Sequence, residues 1–479
     1  FQAEDGIRDR SPSRGLGDVY KRQIDSNGNR LKTSRDITIT ITPNSGTSGA
    51  LLNGTTTVES TNGVAVFTDL SIDLAGKNYT FTAASPGLSE TVSTDFNIIY
   101  SGGTSGLISS NTEWTVGNSP YQITGNVTVA SGVTLTVDPG VTVKFDSGKS
   151  LIVDGTLVSQ GTSTDGITFT SSAVSPAAGD WGFIKFTDSS ADATFNGSGN
   201  YLAGSILEYT TVQYGGGIEN PTIWAVSSSP FFNHLTAQNN KHTAIYSSGP
   251  DIRIKNSTFD DNNNNAPYHT YGGSIHIENS THILIDGNNV SNSKGSHMAG
   301  AIGIEPGDNA TVSVLNNTVS DNTGSGNGPN AALALNVQNG LNATIDSNNI
   351  SNNNGPGYCG GGIFLLQGGT NTPEITISNN TIFGNSGGSA GGGIALGCPT
   401  AGSPPTGNIT ISDNLIIENV ASNGPSEEGF GGGGIFIYAG GWSSEPLTTT
   451  ISGNTIANNV SSTGSETVSY THLTLPTKA

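Results

Sequence analysis

Residues 312–319 read VSVLNNTV, 343–350 read ATIDSNNI, 375–382 read ITISNNTI and 409–416 read ITISDNLI. Each is a short alternating β-branched run broken by a turn whose second residue is Asn. The same unit occurs upstream as IRIKNSTF (252–259) and ILIDGNNV (283–290), and downstream as TTISGNTI (449–456). Aligned on Asn288, Asn317, Asn348, Asn380, Asn414 and Asn454, the copies are spaced 29, 31, 32, 34 and 40 residues apart. A second motif keeps nearly the same period: GGSIHI (272–277), GAIGI (300–304), AALAL (331–335), GGGIFL (360–365), GGGIAL (391–396) and GGGIFI (432–437). A repeat of this length indicates a solenoid. Strands of three to five β-branched residues, set between Asn- and Gly-rich turns, make it a β-solenoid and not a helical array. Stacked coils lie about 4.8 Å apart, so one Asn of each turn can form a hydrogen-bonded ladder.

Residues 108–200 continue the pattern less regularly, through TLTVDPGVTVKF, LIVDGTLVSQGT, ITFTSS and GDWGFIKF. Ahead of them, residues 24–98 form a different unit. DITITITP, GVAVFTDLSI, GKNYTFTAASPGL and STDFNI are short strands separated by Asn-Gly and Pro-Gly turns, which suits an antiparallel sandwich. Residues 99–107, IYSGGTSGL, read as a linker. The two ends are foreign to this composition. Residues 1–23 carry five of the 17 Lys and Arg, and with residues 468–479 they resemble translated sequencing-adaptor peptide. Both are set aside, and the natural protein is expected to extend further at each end.

The chain carries 17 basic and 37 acidic residues, a formal net charge of −20. That balance argues against nucleic acid and anionic membrane as partners. Cys359 and Cys398 are the two cysteines. One precedes a core strand and the other follows the next, so a bond would require the loops to fold back. The expectation is that they do not pair, with pairing as the alternative.

Residues 24–98 resemble bacterial Ig-like domains of the invasin and intimin type, on the run GVAVFTDLSID, the Gly-x-x-Tyr strand and the Ser-Pro-Gly-Leu turn, with the first strand expected to be missing. Residues 108–467 resemble the pectin-lyase-like right-handed parallel β-helix superfamily. The GG-x-I strands and N-x-[TS] turns also resemble adhesin and autotransporter passengers. The fold class is therefore all-β: a right-handed parallel β-helix with an N-terminal Ig-like β-sandwich. These resemblances imply an extracellular or cell-surface protein that faces a polysaccharide or a host surface. Membrane insertion is not expected of it. Arg253-Ile254-Lys255 resembles a polygalacturonase motif, but the accompanying Asn-Thr-Asp and Gly-His-Gly segments are absent, so that activity is not carried over. The calcium-binding Asp set of pectate lyases is not matched either.

The GG-x-I strands are the candidate binding sheet. Taking Ala225, Ile245, Ile275, Ile302, Leu333, Ile363, Ile394 and Ile435 as inward residues gives two outward columns. One runs Val226, Tyr246, His276, Gly303, Ala334, Phe364, Ala395, Phe436. The other holds Ser248, Glu278, Glu305, Asn336 and Leu366. Trp224 lies at the edge. Trp224, Tyr246, Phe364 and Phe436 could stack on sugar rings, or pack beneath a loop. Arg253 and Lys255 are further candidate contacts. Glu278 and Glu305, as stacked neighbours beside His276, form a candidate catalytic group for a lyase or hydrolase, or a calcium site, against the plainer reading of two solvated glutamates. Six of the seven His fall between residues 234 and 297. Two functions follow: an adhesive or glycan-binding surface protein, or a polysaccharide lyase or hydrolase. A purely structural spacer is a third.

Overall fold

The computed structural model describes residues 19–22, 33–72, 76–98, 103–217, 220–263, 273–296, 299–325, 331–357, 359–367, 373–388, 391–398, 406–422, 431–438 and 447–461. The chain divides into two compact units.

The smaller unit is antiparallel. Asp36–Ile41 lies between Thr57–Glu59 and Phe81–Ala84 in a four-stranded sheet completed by Thr91–Val92. Alternation along these strands sends Ile37, Ile39, Phe81 and Ala83 inward, onto Phe67, Leu70 and Tyr79. Val19–Arg22, inside the stretch set aside as foreign, pairs antiparallel with Val64–Phe67.

The larger unit is a parallel solenoid. Most coils contribute strands to three main ladders, and several later coils add a short fourth strand, as at Lys294–Ser296, Ser386–Gly387 and Val420–Ala421. The first ladder contains the GG-x-I strands: Ile223–Ala225, Ile245–Ser247, Ile275–Glu278, Ala299–Glu305, Ala331–Val337, Ile363–Gln367, Ile394–Leu396 and Ile435–Ile437. The second holds Asp251–Lys255, His282–Asp286, Thr311–Leu315, Asn342–Asp346 and their neighbours, in a separate twelve-stranded sheet. The third holds Thr258–Asp260, Asn289–Ser291, Thr318–Ser320 and their neighbours. First and third belong to one 23-stranded sheet. Strand pairing begins at Thr104–Ile108, which overlaps the end of the expected linker. Among the described residues no helix is long and apolar enough to cross a membrane.

The turns explain the repeat. Between second and third ladders, Asn288, Asn317, Asn348, Asn380, Asn414 and Asn454 are buried. Each of the first five donates its Nδ2 to the Oδ1 of the next, at 2.8–2.9 Å. The residue before the ladder Asn adopts positive φ, as at Asn316 (56°), Asn379 (55°) and Asp413 (58°), which turns the corner. A second ladder, not anticipated, follows the third strand. Asn322, Asn353, Asn385, Asn419 and Asn459 are joined in the same way. Its members sit five residues beyond those of the first.

At Gly392, where the chain enters the first ladder, adjacent segments lie too close to admit a side chain. A Cβ on Gly392 would lie 2.6 Å from the carbonyl oxygen of Gly433 and 2.6 Å from the carbonyl carbon of Val420. Both are backbone, so neither yields cheaply. Gly392→Ala is expected to destabilise the protein by about 2–3 kcal/mol through overpacking. Chemical denaturation checks this, and a change within about 0.5 kcal/mol, as at an ordinary surface site, would refute the close-packed seam.

The cysteines pair, contrary to expectation. Cys359 and Cys398 form a disulfide with Cα atoms 5.9 Å apart. Gly360 (φ 83°) and Gly397 (φ 75°), each beside a cysteine, take the left-handed conformation. They fold the chain back as the bond requires.

Candidate functional site

Register along the first ladder sets the outward column. Lys185 pairs with Trp224, Trp224 with Tyr246, Tyr246 with His276 and His276 with Gly303. Ala334, Phe364, Ala395 and Phe436 continue it. Two sequence alignments are corrected. The inward partner of Ile245 is Ile223, not Ala225, and the outward column contains Trp224, not Val226. Ile223 and Ala225 are both fully buried, so alternation alone could not distinguish a slip of two residues.

The column divides by burial. Lys185, Trp224 and Tyr246 are half-buried. Phe364 is not a surface platform: it is fully buried with Ala299, Ala331, Ala334, Ala395 and the two cysteines, and Phe436 packs against the same cluster. Of the aromatic pair expected to meet a sugar in these later coils, Phe364 lies beneath a covering layer, while Phe436 is half-buried. At the other end, the Lys185 ammonium sits 3.9 Å from the centre of the Trp224 ring, and Phe183 meets that ring edge-on. Lys185 was missed. Its signal was the shared pattern of Ile-Lys-Phe, Ile-Trp-Ala, Ile-Tyr-Ser and Ile-His-Ile.

Arg253 and Lys255 lie on the second ladder, away from the first-ladder column. Arg253 pairs with Asp251 at 3.0 Å and lies over the Phe195 ring, while Lys255 pairs with Asp286 at 3.4 Å. Of the clustered histidines, His234 stacks on Tyr209 and His282 is exposed on the second ladder. His269 and His297 lie outside the described residues.

His276, Glu278, Glu305 and Tyr246 do come together. Glu278 and Glu305 are direct register neighbours. The His276 side chain is fully buried, with Nε2 2.8 Å from Glu278 Oε1 and 3.6 Å from Glu305 Oε1. Tyr246 donates its hydroxyl to Glu278 Oε2 at 2.8 Å, and its ring stacks on His276 at 5.7 Å. The two carboxylates are 24% and 30% exposed, so this edge of the cluster faces solvent. The hydrogen bond to His276 lowers the Glu278 pKa; burial opposes it, and the Tyr246 hydroxyl adds to the lowering. Glu278 is thus a carboxylate held ionised by two fixed neighbours. A group with a depressed folded pKa stabilises the protein above its unfolded value, near 4.5, and loses that contribution as pH falls through the folded value. The stability gap between the protein and Glu278→Gln is therefore expected to be widest above pH 4.5 and to narrow by pH 3. Denaturation curves at pH 5 and pH 3 check the sign, and a gap that widens on acidification would contradict it.

The three acidic and imidazole donors lie within 4.8 Å of one another, close enough to meet at one ion. Their chemistry does not fit calcium. Calcium takes roughly six to eight oxygen ligands. Here one donor is an imidazole nitrogen, and both oxygens of Glu278 already accept hydrogen bonds from the protein.

Two family models match the chain. A pectate-lyase-like β-helix domain covers residues 106–222, and a right-handed β-helix region covers residues 218–372 and 327–475. No curated protein and no solved structure matches it.

Proposed function

The chain belongs to the right-handed β-helix family, and from that premise we propose that it binds a polysaccharide along the half-buried part of its first ladder. The carrying observation is a break in the column. Later coils fill it with Gly303, Ala334, Phe364 and Ala395, all buried and requiring no polar partner. At His276 the same position holds a buried imidazole wired to two solvent-facing carboxylates, next to Tyr246 and Trp224. The solenoid does not need this arrangement to fold, and a departure of that kind from the local rule is what a binding site looks like. Trp224 and Tyr246, each with one ring face already taken by Lys185 or His276, leave part of their surface open to a ligand, and carboxylates accept hydrogen bonds from hydroxyls. The antiparallel unit in front is read as an Ig-like spacer. The buried disulfide supports export, because such bonds persist in oxidising compartments. An extracellular or cell-surface, adhesive role fits both.

A hydrolase is the second reading, favoured by one observation. Glu278 and Glu305 sit in adjacent coils, about 5 Å apart along the ladder, and a retaining glycosidase places its carboxyl pair about 5–5.5 Å apart. A polysaccharide panel scored for both binding and release of reducing or unsaturated ends separates the two. Binding weakened at least tenfold by Trp224→Ala and Tyr246→Ala, without product, supports the binder. Product that disappears in Glu278→Gln and Glu305→Gln establishes the enzyme. No binding to any glycan, or binding indifferent to Trp224 and Tyr246, sinks the site.

A further inference from the structure

We propose that the third ladder carries a separate site for a short uncharged oligosaccharide, which lies along the strand Thr210–Gln213 between Tyr209 and Tyr214. It shares no residue with the first-ladder column. Most of the described solenoid residues that turn a corner at positive φ without being glycine are Asn, Asp or Ser. Short polar side chains tolerate that conformation, and bulky ones do not. Tyr209 (43°) and Tyr214 (63°) break the rule, immediately before and immediately after Thr210–Gln213. Asn239 turns the second of these corners one coil on, and Asn256 turns the first two coils on, so the turn itself needs no tyrosine. Strain kept at a pair of positions is what a functional site retains.

The floor between the tyrosines is uncharged. Thr168, Thr211 and Thr236 form one outward column, and Thr170, Gln213 and Gln238 the other. Gln238 donates its Nε2 to Gln213 Oε1 at 2.9 Å, and Gln213 donates its Nε2 to Thr170 Oγ1 at 3.2 Å. These bonds fix the direction of both amides and leave each with a second N–H, and Gln238 with its Oε1, for a ligand. Among the described residues nothing bonds the hydroxyl of Tyr209 or Tyr214. His234 braces Tyr209 by stacking on one face at 4.3 Å, whereas no described ring or cation stacks on Tyr214. A sugar suits this surface: its C–H face rests on the Tyr214 ring, and its hydroxyls both donate and accept. The strand between the tyrosines spans about 13 Å, room for a short oligosaccharide. A proline-rich peptide would also stack on tyrosine, but it brings few donors for Gln238 Oε1. A uronic acid would meet no cation on the floor and would face Asp260, the next residue of the Gln238 column.

The test is calorimetric titration of the full chain carrying Trp224→Ala, which removes the first-ladder platform. The probes are the neutral tetrasaccharides of cellulose, mannan and chitin, with tetragalacturonate and a proline-rich peptide alongside. The expected result is that at least one neutral tetrasaccharide binds, at least tenfold tighter than tetragalacturonate or the peptide. Adding Tyr214→Asn should weaken that binding at least tenfold, and Gln238→Ala at least threefold. Because asparagine suits the corner, Tyr214→Asn should leave the denaturation midpoint unchanged or raise it. Binding lost with stability kept is a result that a merely structural tyrosine does not give. A lower midpoint in Tyr214→Asn would assign the residue to the fold and overturn the proposal. So would binding indifferent to Tyr214→Asn, a preference for tetragalacturonate or for the peptide, or no binding of any neutral probe. Each of these leaves the first-ladder reading standing, because that reading is tested on the unaltered third ladder by Trp224→Ala and Tyr246→Ala.

Discussion

Asn348→Ala is expected to lower stability by about 3–4 kcal/mol, while Asn349→Ala, one residue on, changes it by less than about 0.5 kcal/mol. The two side chains differ in what they touch. Asn349 is exposed. Asn348 is 2% exposed, and its Oδ1 accepts from both the backbone N–H and the Nδ2 of Asn317, each at 2.9 Å. Its own Nδ2 donates to the carbonyls of Val314 and Asp346 and to Asn380 Oδ1. Alanine removes every one of these bonds and strands the Asn317 N–H in a buried turn. An orphaned buried donor costs about 1–3 kcal/mol, and the loss of neighbouring bonds adds to that. Because each coil touches mainly its neighbours, the damage should be local. Hydrogen exchange is the measurement: amides of the coils around residues 317–380 should lose protection, and those around residues 127–186 should keep theirs. Equal destabilisation by the two alanine variants would show that the ladder contributes nothing beyond its composition.

That ladder was legible because it repeats. One Asn in each turn, at a near-constant period beside β-branched runs, has a single physical use in a stack of coils. The companion ladder was equally available as an Asn five residues later at positions 322, 353, 385, 419 and 459. It was overlooked because the intervening strand of three residues reads as part of the turn. The site was legible in part. Alternation put Glu278, Glu305 and His276 on one face, and the structure joins them. Alternation fixes the direction of a side chain but not what lies above it. It therefore could not tell Tyr246, half-buried, from Phe364, fully buried. Nor could it place Arg253, whose alternating strand looks like any other but belongs to a different ladder.

Replacing both cysteines by alanine is expected to destabilise the protein by about 3–4 kcal/mol, through the entropy of closing a loop of this length in the unfolded chain. The bond spans 39 residues, somewhat more than one coil. It ties the segment before Ile363 to the segment after Leu396, so it holds adjacent coils in register above their outward face. Both sulfurs are buried against Phe364, Ala395 and Ala334, so the substitution also removes contacts from that cluster. Two readings check this. Thiol titration of the native protein should find no reactive group, and titration after unfolding without reductant should still find none. Denaturation of the double alanine variant should show the loss, with the wild type matching it when unfolded in reductant. Two titratable thiols in the unreduced, unfolded protein would mean that the cysteines stay apart. Unchanged stability in the alanine variant would mean that the bond holds nothing the stacked strands do not already hold. The expected loss carries a consequence for where the protein works. A chain folded in a reducing compartment would lack this tie across its later coils, whereas one folded after export would have it. The layer that buries Phe364 and bounds the open part of the column is therefore fully secured only in an oxidising environment.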